Sequence, residues 1–126
     1  MARETGERTW LIPDGYLPPD STGDLLSHES VCLLNTGGAT AAVEMTAYFE
    51  DRDPLRGFRI LVPGERTLHV RLDRVANPAG ETIPRGTPYA LLVESDRPIT
   101  VQMSRMDTTQ PALTLMTTLA HPVRGG

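Results

Sequence analysis

The side chains best suited to chemistry are few, and they sit in segments that otherwise read as strands. His28, Glu29, His69, Arg71, Gln102, Arg105 and Asp107 supply most of the clustered donors and acceptors. A planar guanidinium presents a fork of N–H groups that matches carboxylate and hydroxyl oxygens, and an imidazole adds sensitivity to pH. Such a set suits a polar surface for a ligand or a partner, with His69, Arg71, Gln102 and Arg105 at its centre and His28 and Glu29 at a neighbouring strand entry. Trp10 and Tyr16 are the aromatic side chains that could stack on a sugar ring, although a lone tryptophan in a small domain more often packs in the core.

Catalytic and metal chemistry have weaker support. The chain holds no G-x-S-x-G, no paired cysteine motif, no Walker loop and no H-E-x-x-H. Ser27-His28-Glu29 contains the parts of a triad, but neighbouring strand residues point to opposite faces and cannot form a relay. His28, Glu29 and His69 lack a characteristic ligand spacing. No enzyme activity, cofactor or metal is therefore expected. Cys32 lies in an apolar run and reads as inert core packing. Arg105 interrupts the apolar parity of Ile99, Val101 and Met103, and Asp107 shares that parity, which makes a local Arg105–Asp107 ion pair the structural alternative to a binding site.

The elements that position these groups follow from periodicity and turn chemistry. Short β-rich runs occur at residues 8–12, 30–35, 42–49, 57–62, 67–72, 89–94 and 98–106, and a Thr-rich run at 113–120 favours strand over helix. The run at 30–35 is apolar almost throughout and suits a strand buried on both faces. Val43, Met45, Ala47 and Phe49 share one face, as do Leu68, Val70 and Leu72, which puts His69, Arg71 and Asp73 together on the other. Gly37-Gly38 is a hairpin signal between residues 36 and 40, and Ser95-Asp96-Arg97 reads as the tight link of a second hairpin. Residues 76–88 form a long irregular connection, with one helical turn near Arg74. The expected fold is all-β, an antiparallel β-sandwich or jelly roll of seven or eight strands. Residues 8–121 form its single domain, between a flexible arm (1–7) and a flexible tail (122–126).

Composition agrees. The 126 residues are 39% hydrophobic and 22% charged, with 11 glycines and 11 prolines, enough apolar material for one core and enough punctuation for many turns. All 12 basic residues are arginine, and the net charge of −4 opposes general phosphate binding, so nucleic acid is not an expected partner. A single cysteine excludes an internal disulfide, and no run has the length of a membrane span or the pattern of a signal peptide. The expected location is the cytoplasm.

Taken in order, several motifs resemble the sensory rhodopsin transducer family. They are Trp10, Gly15-Tyr16 with Pro18, Ser27-His28-Glu29, Cys32-x-Leu34-Asn35 with Gly37, and Tyr48 with Asp51 and Pro54. Val62-Pro63-x-x-Arg66-Thr67-x-His69-Val70-Arg71 follows, then Pro98-Ile99-x-Val101-Gln102-x-x-Arg105-x-Asp107 and Gln110. The resemblance spans about residues 10–120. It implies a small soluble β-sandwich that assembles as a homotetramer, docks on the cytoplasmic face of a photoreceptor rhodopsin and passes on its light signal. It also implies kinship of fold with carbohydrate-binding sandwiches. Two functions follow: a signalling adaptor acting by protein–protein contact, or a module that binds a sugar or related polar metabolite in a sandwich-edge or intersubunit pocket.

Overall fold

The computed structural model describes residues 2–21, 26–109, 112 and 114–125. Gln110 and Leu113, invoked above for the family motif and the last long strand, lie outside them. Among the described residues there is no helix. Eight strands form an all-β sandwich: β1 (Glu7–Gly15), β2 (His28–Asn35), β3 (Ala41–Phe49), β4 (Leu55–Val62), β5 (Arg66–Arg71), β6 (Tyr89–Asp107), β7 (Thr114–Leu119) and β8 (His121–Val123). All pairings are antiparallel. One sheet runs β4-β3-β6-β1-β8, and the other runs β5-β2-β6-β7.

β6 belongs to both sheets. Its first half lies between β3 and β1, with Val93 opposite both Met45 and Trp10, and its second half lies between β2 and β7, with Met103 opposite both Val31 and Thr118. Ser95-Asp96-Arg97 is therefore not the turn of a hairpin. Odd-numbered residues stay inward on both sides of this segment, from Tyr89, Leu91 and Val93 to Ile99, Val101 and Met103, all buried. The strand bends from sheet to sheet without reversing, and the Asp96 carboxylate accepts the Ala42 amide of β3 at 2.7 Å.

The Gly37-Gly38 signal also resolves differently. β2 and β3 lie in different sheets, so the glycines carry the chain across the sandwich. The buried Asn35 side chain holds this crossing. It donates to the Ala39 carbonyl at 2.8 Å and to Val62 and Pro63 carbonyls at 3.0 and 3.3 Å, while its oxygen accepts the Gly37 amide at 3.0 Å. One amide thus fastens the β2–β3 crossing to the β4–β5 crossing, and a side chain at Gly64 would collide with the Gly38 carbonyl where they meet.

β2 is buried on one face only. Glu29, Val31, Leu33 and Asn35 point inward, whereas Cys32 is half-buried and Leu34 exposed on the outer face of the second sheet, so Cys32 is not a core residue. The inward alternation of β3, with Val43, Met45 and Ala47 buried, matches expectation. Pairing extends past residue 121, because Pro122 and Val123 lie opposite Trp10 and Thr9 and close the edge beside β1. The irregular stretch at 76–88 is pinned by the buried Ile83, by Asn77 donating to the Arg56 carbonyl at 3.0 Å, and by the Gly86 amide donating to the Leu17 carbonyl at 2.7 Å. A turn closes at Arg74, whose amide donates to the Arg71 carbonyl at 3.2 Å.

Candidate functional site

The polar residues singled out above do not form one cluster. β2 lies between β5 and β6, so His69 and Gln102 both face Cys32 across strand pairs but do not adjoin. Gln102 and Arg105 differ in parity and occupy opposite faces of β6. Three separate groups result.

The first is buried between the sheets. Glu29 has no solvent exposure. Its carboxylate accepts the Tyr16 amide at 2.9 Å, the Arg105 Nε–H at 2.5 Å and the Tyr89 hydroxyl in a short hydrogen bond. These donors come from three elements: the loop after β1, the first half of β6 and its second half. Glu29 and Arg105 are direct cross-strand partners. Burial pushes the Glu29 carboxyl above its ordinary value, and the Tyr89 hydroxyl, the Arg105 guanidinium and the Tyr16 amide pull it back only in part. Burial also raises the Tyr89 phenol, which the neighbouring carboxylate raises further. Arg105 is held above its usual range: desolvation pulls it down, but the bond to Glu29 together with the negative charges of Glu29 and Asp14 raises it further. Asp14 approaches the same guanidinium at 3.9 Å from the solvent side.

This group forms one wall of a 240 Å³ cleft at the open edge of the sandwich, between β1 and β8 on one side and β6 and β7 on the other. Ile12, Met103 and Met116 give it an apolar lining, alongside Thr118 and His121.

The second group is Arg71, Asp73 and Arg85. Arg71 grips the Asp73 carboxylate with two parallel bonds of 2.8 and 2.7 Å, and Arg85 adds a third at 3.3 Å. Arg85 also donates to the Pro18 and Ser27 carbonyls at 3.0 and 2.9 Å, which ties the 76–88 connection to the segment before β2. Asp73 is desolvated, yet the Arg71 bonds hold it below the usual carboxylate range. Its contribution to stability is thus present above pH 3.8 and lost as pH falls through its lowered value. Arg71→Ala should cost about 1–2 kcal/mol at pH 7 and progressively less as pH falls below 3.8 through the lowered Asp73 value, measured by urea unfolding. His69→Ala, at an exposed position, should stay within about 0.5 kcal/mol. Equal effects of the two changes would contradict the ion-pair assignment.

The third group is the open face of the second sheet, where Cys32, His69, Gln102 and Thr117 line a shallow 370 Å³ depression. Asp107 joins none of the three. It accepts the Thr109 amide at 2.8 Å and the Thr109 hydroxyl at 2.6 Å, bonds that lower its carboxyl, while Arg105 turns inward to Glu29. The expected Arg105–Asp107 bond is therefore replaced by Arg105–Glu29. His28 faces outward, its Nδ1 2.9 Å from the Leu26 carbonyl oxygen, and Ser27 bonds Thr108 at 3.0 Å, so Ser27, His28 and Glu29 form no relay. Trp10 is buried, its indole N–H shared between the Glu7 and Ile99 carbonyls at 3.0 and 3.1 Å, and offers no ring to a sugar. Tyr16 is half-buried and serves the site through its backbone. Among the described residues no His, Cys, Asp and Glu group is arranged to hold a metal.

Tyr89, Asp14, Asp73 and Arg85 were not among the candidate residues. Tyr89 had a legible signal: it shares the inward parity of Leu91 and Val93, and a buried phenol needs a partner for its hydroxyl.

An antiparallel sandwich with one strand common to both sheets and a buried Glu–Arg–Tyr group defines a small all-β class. Residues 5–122 match the family described as Anabaena sensory rhodopsin transducer, and the chain belongs to that family. Two solved structures are similar to it. The crystal structure of Thermotoga maritima 1070 is 38% identical, with a TM-score of 0.85 over 97% of this chain and 99% of that one. The Anabaena sensory rhodopsin transducer is 39% identical, with a TM-score of 0.75 over 83% of this chain and 92% of that one. No curated protein sequence matches the chain.

Proposed function

We propose that this chain is a cytoplasmic signalling adaptor that carries the state of a sensory rhodopsin by protein–protein contact, as a homotetramer and without catalysis. The observation that carries this reading is the 39% identity and shared fold with the Anabaena sensory rhodopsin transducer. The surface is consistent with self-association. β7 is a short edge strand without charge, and Leu115, Leu119 and Leu34 are exposed large apolar side chains on the outer face of the second sheet. An uncharged, apolar edge invites pairing with another chain. His69 and Gln102, on the same open face, are the contact residues this reading favours. Light scattering should return a mass about four times the 13.8 kDa of one chain. Vesicles carrying a sensory rhodopsin should co-sediment the protein to different extents in light and dark, and no binding to such vesicles in either condition would refute the adaptor.

A second reading rests on the 240 Å³ cleft, whose wall includes the Arg105 guanidinium with N–H groups beyond those used by Glu29. It is a module for a small hydroxylated metabolite such as a sugar. Calorimetric titration with neutral monosaccharides tests it, with His121→Ala and Thr118→Ala weakening any binding while leaving the Glu29–Arg105 pair intact.

A further inference from the structure

Three hollows at one end of the sandwich share lining residues. The 240 Å³ cleft ends at Pro13 and Asp14, which also border a 390 Å³ depression lined by Tyr48, Phe49, Glu50 and Pro88. Glu50 and Pro88 in turn border a 210 Å³ hollow with Asp51 and Arg52. They make one groove with two characters. Its cleft end is apolar, through Ile12, Met103 and Met116, and its other end is aromatic and acidic.

We propose that this groove docks an extended basic segment of a partner protein, seating an arginine or lysine against Tyr48, Asp14 and Glu50 and an apolar side chain in the cleft beside Ile12 and Met116. The inference rests on the reading that the chain works by protein contact, and it names where and with what chemistry.

Charge selects the occupant. Asp51 is paired with Arg52 at 3.0 Å and Glu29 with Arg105 at 2.5 Å, so these four cancel. Asp14 meets Arg105 only at 3.9 Å with most of its side chain in solvent, and Glu50 has no ion pair among the described residues. Glu50, and Asp14 beyond what Arg105 already balances for Glu29, therefore leave net negative charge facing the groove. The surface already shows what it accepts, because Arg52 lies over the Phe49 ring at 5.5 Å with Asp51 as its counter-ion. An aromatic face beside a carboxylate is a guanidinium or ammonium site, and Tyr48 with Glu50 and Asp14 repeats the arrangement. Anionic lipid and nucleic acid are repelled by it. A second copy is a poorer occupant, since each chain carries a net charge of −4 and no lysine. Cytoplasmic segments of membrane proteins, by contrast, carry an excess of Lys and Arg close to the apolar spans.

The test uses a fluorescein-labelled heptapeptide, Gly-Arg-Leu-Arg-Leu-Arg-Gly, and an analogue with Glu for each Arg, followed by fluorescence anisotropy with the full chain. The basic peptide should bind, weaken at least about tenfold in Asp14→Asn with Glu50→Gln, and weaken again between about 50 and 500 mM salt as the charges are screened. Met116→Ala, at an exposed position opposite Arg105, should weaken it about threefold through the apolar end. Unchanged affinity in the double variant with an unchanged melting temperature, or equal binding of the acidic analogue, overturns the proposal. The vesicle experiment separates the two claims. Rhodopsin vesicles bound equally well by the double variant would refute the groove and spare the adaptor. Peptide binding with the expected losses, but no vesicle binding, would refute the adaptor and spare the groove.

Discussion

Arg105→Leu should lower folding stability by about 3 kcal/mol at neutral pH, the range found when one partner of a buried pair is removed. Glu29 has no exposure and accepts its shortest non-phenolic bond from Arg105, so the truncated protein holds a carboxylate with only the Tyr16 amide and the Tyr89 hydroxyl for company. The lower end of the range applies because about a quarter of the Arg105 side chain reaches solvent. The pH dependence has a defined sign. Burial already raises the Glu29 carboxyl above 4.5, so the folded state takes up a proton more readily than the unfolded chain, and stability from this group is fullest below pH 4.5 and falls as pH rises through the raised value. Without Arg105 the carboxyl rises further. The deficit of the variant should therefore be largest near pH 8 and shrink towards pH 5, as read from urea midpoints across that range. A deficit independent of pH would mean that packing, not charge, is lost. Replacing both residues by leucine should cost less than Arg105→Leu alone, because no buried charge is left without its partner.

Phe58→Ala should cost about 4 kcal/mol, the middle of the range for emptying an aromatic site in a core. Phe58 is 1% exposed and lies on β4 opposite Met45. The cost depends on whether β4 can settle into the cavity, and the strand is held near both ends. Asn77 bonds the Arg56 carbonyl on one side, and Asn35 bonds the Val62 and Pro63 carbonyls on the other. A strand so clamped relaxes little. Leu61→Ala on the same strand, 66% exposed, should change stability by less than about 0.5 kcal/mol. A loss at Phe58 below about 1.5 kcal/mol would show that the core there is looser than its burial implies.

The all-β sandwich was legible because its cues are local. Alternation around Val43 and dense turn residues report the strand period without knowledge of partners. Pairing is not local, and the misread segments show it. Gly37-Gly38 and Ser95-Asp96-Arg97 carry the composition of hairpin turns, but a bent strand and a crossing between sheets use the same residue types; only the inward parity kept from Val93 to Ile99 separates them. The site was half legible. Parity placed His28 and Glu29 on opposite faces of β2, and it equally separates Gln102 from Arg105, so these residues cannot share a single polar cluster. That Arg105 meets Glu29, and not Asp107, depends on β2 and β6 being neighbours, which nothing in either segment reveals. The run at 30–35 looked buried on both faces because Cys32 and Leu34 are apolar, whereas in the single chain their face is open.

The double membership of β6 has a consequence for how the protein is made. Before residue 89 leaves the ribosome, the available pairings are β2 with β5 and β3 with β4, two isolated strand pairs of opposite sheets. Two-stranded ribbons are at best marginally stable in water. β1 must wait for the first half of β6, since Leu11 lies opposite Leu92, and the two sheets are joined only when the second half of β6 reaches β2. Folding thus cannot begin in earnest until both halves of β6 are available, and the sandwich closes as one slow event built on distant contacts. A nascent chain halted short of β6 has no sub-structure in which to shelter its apolar strands, and it would depend on chaperones or be cleared by proteolysis.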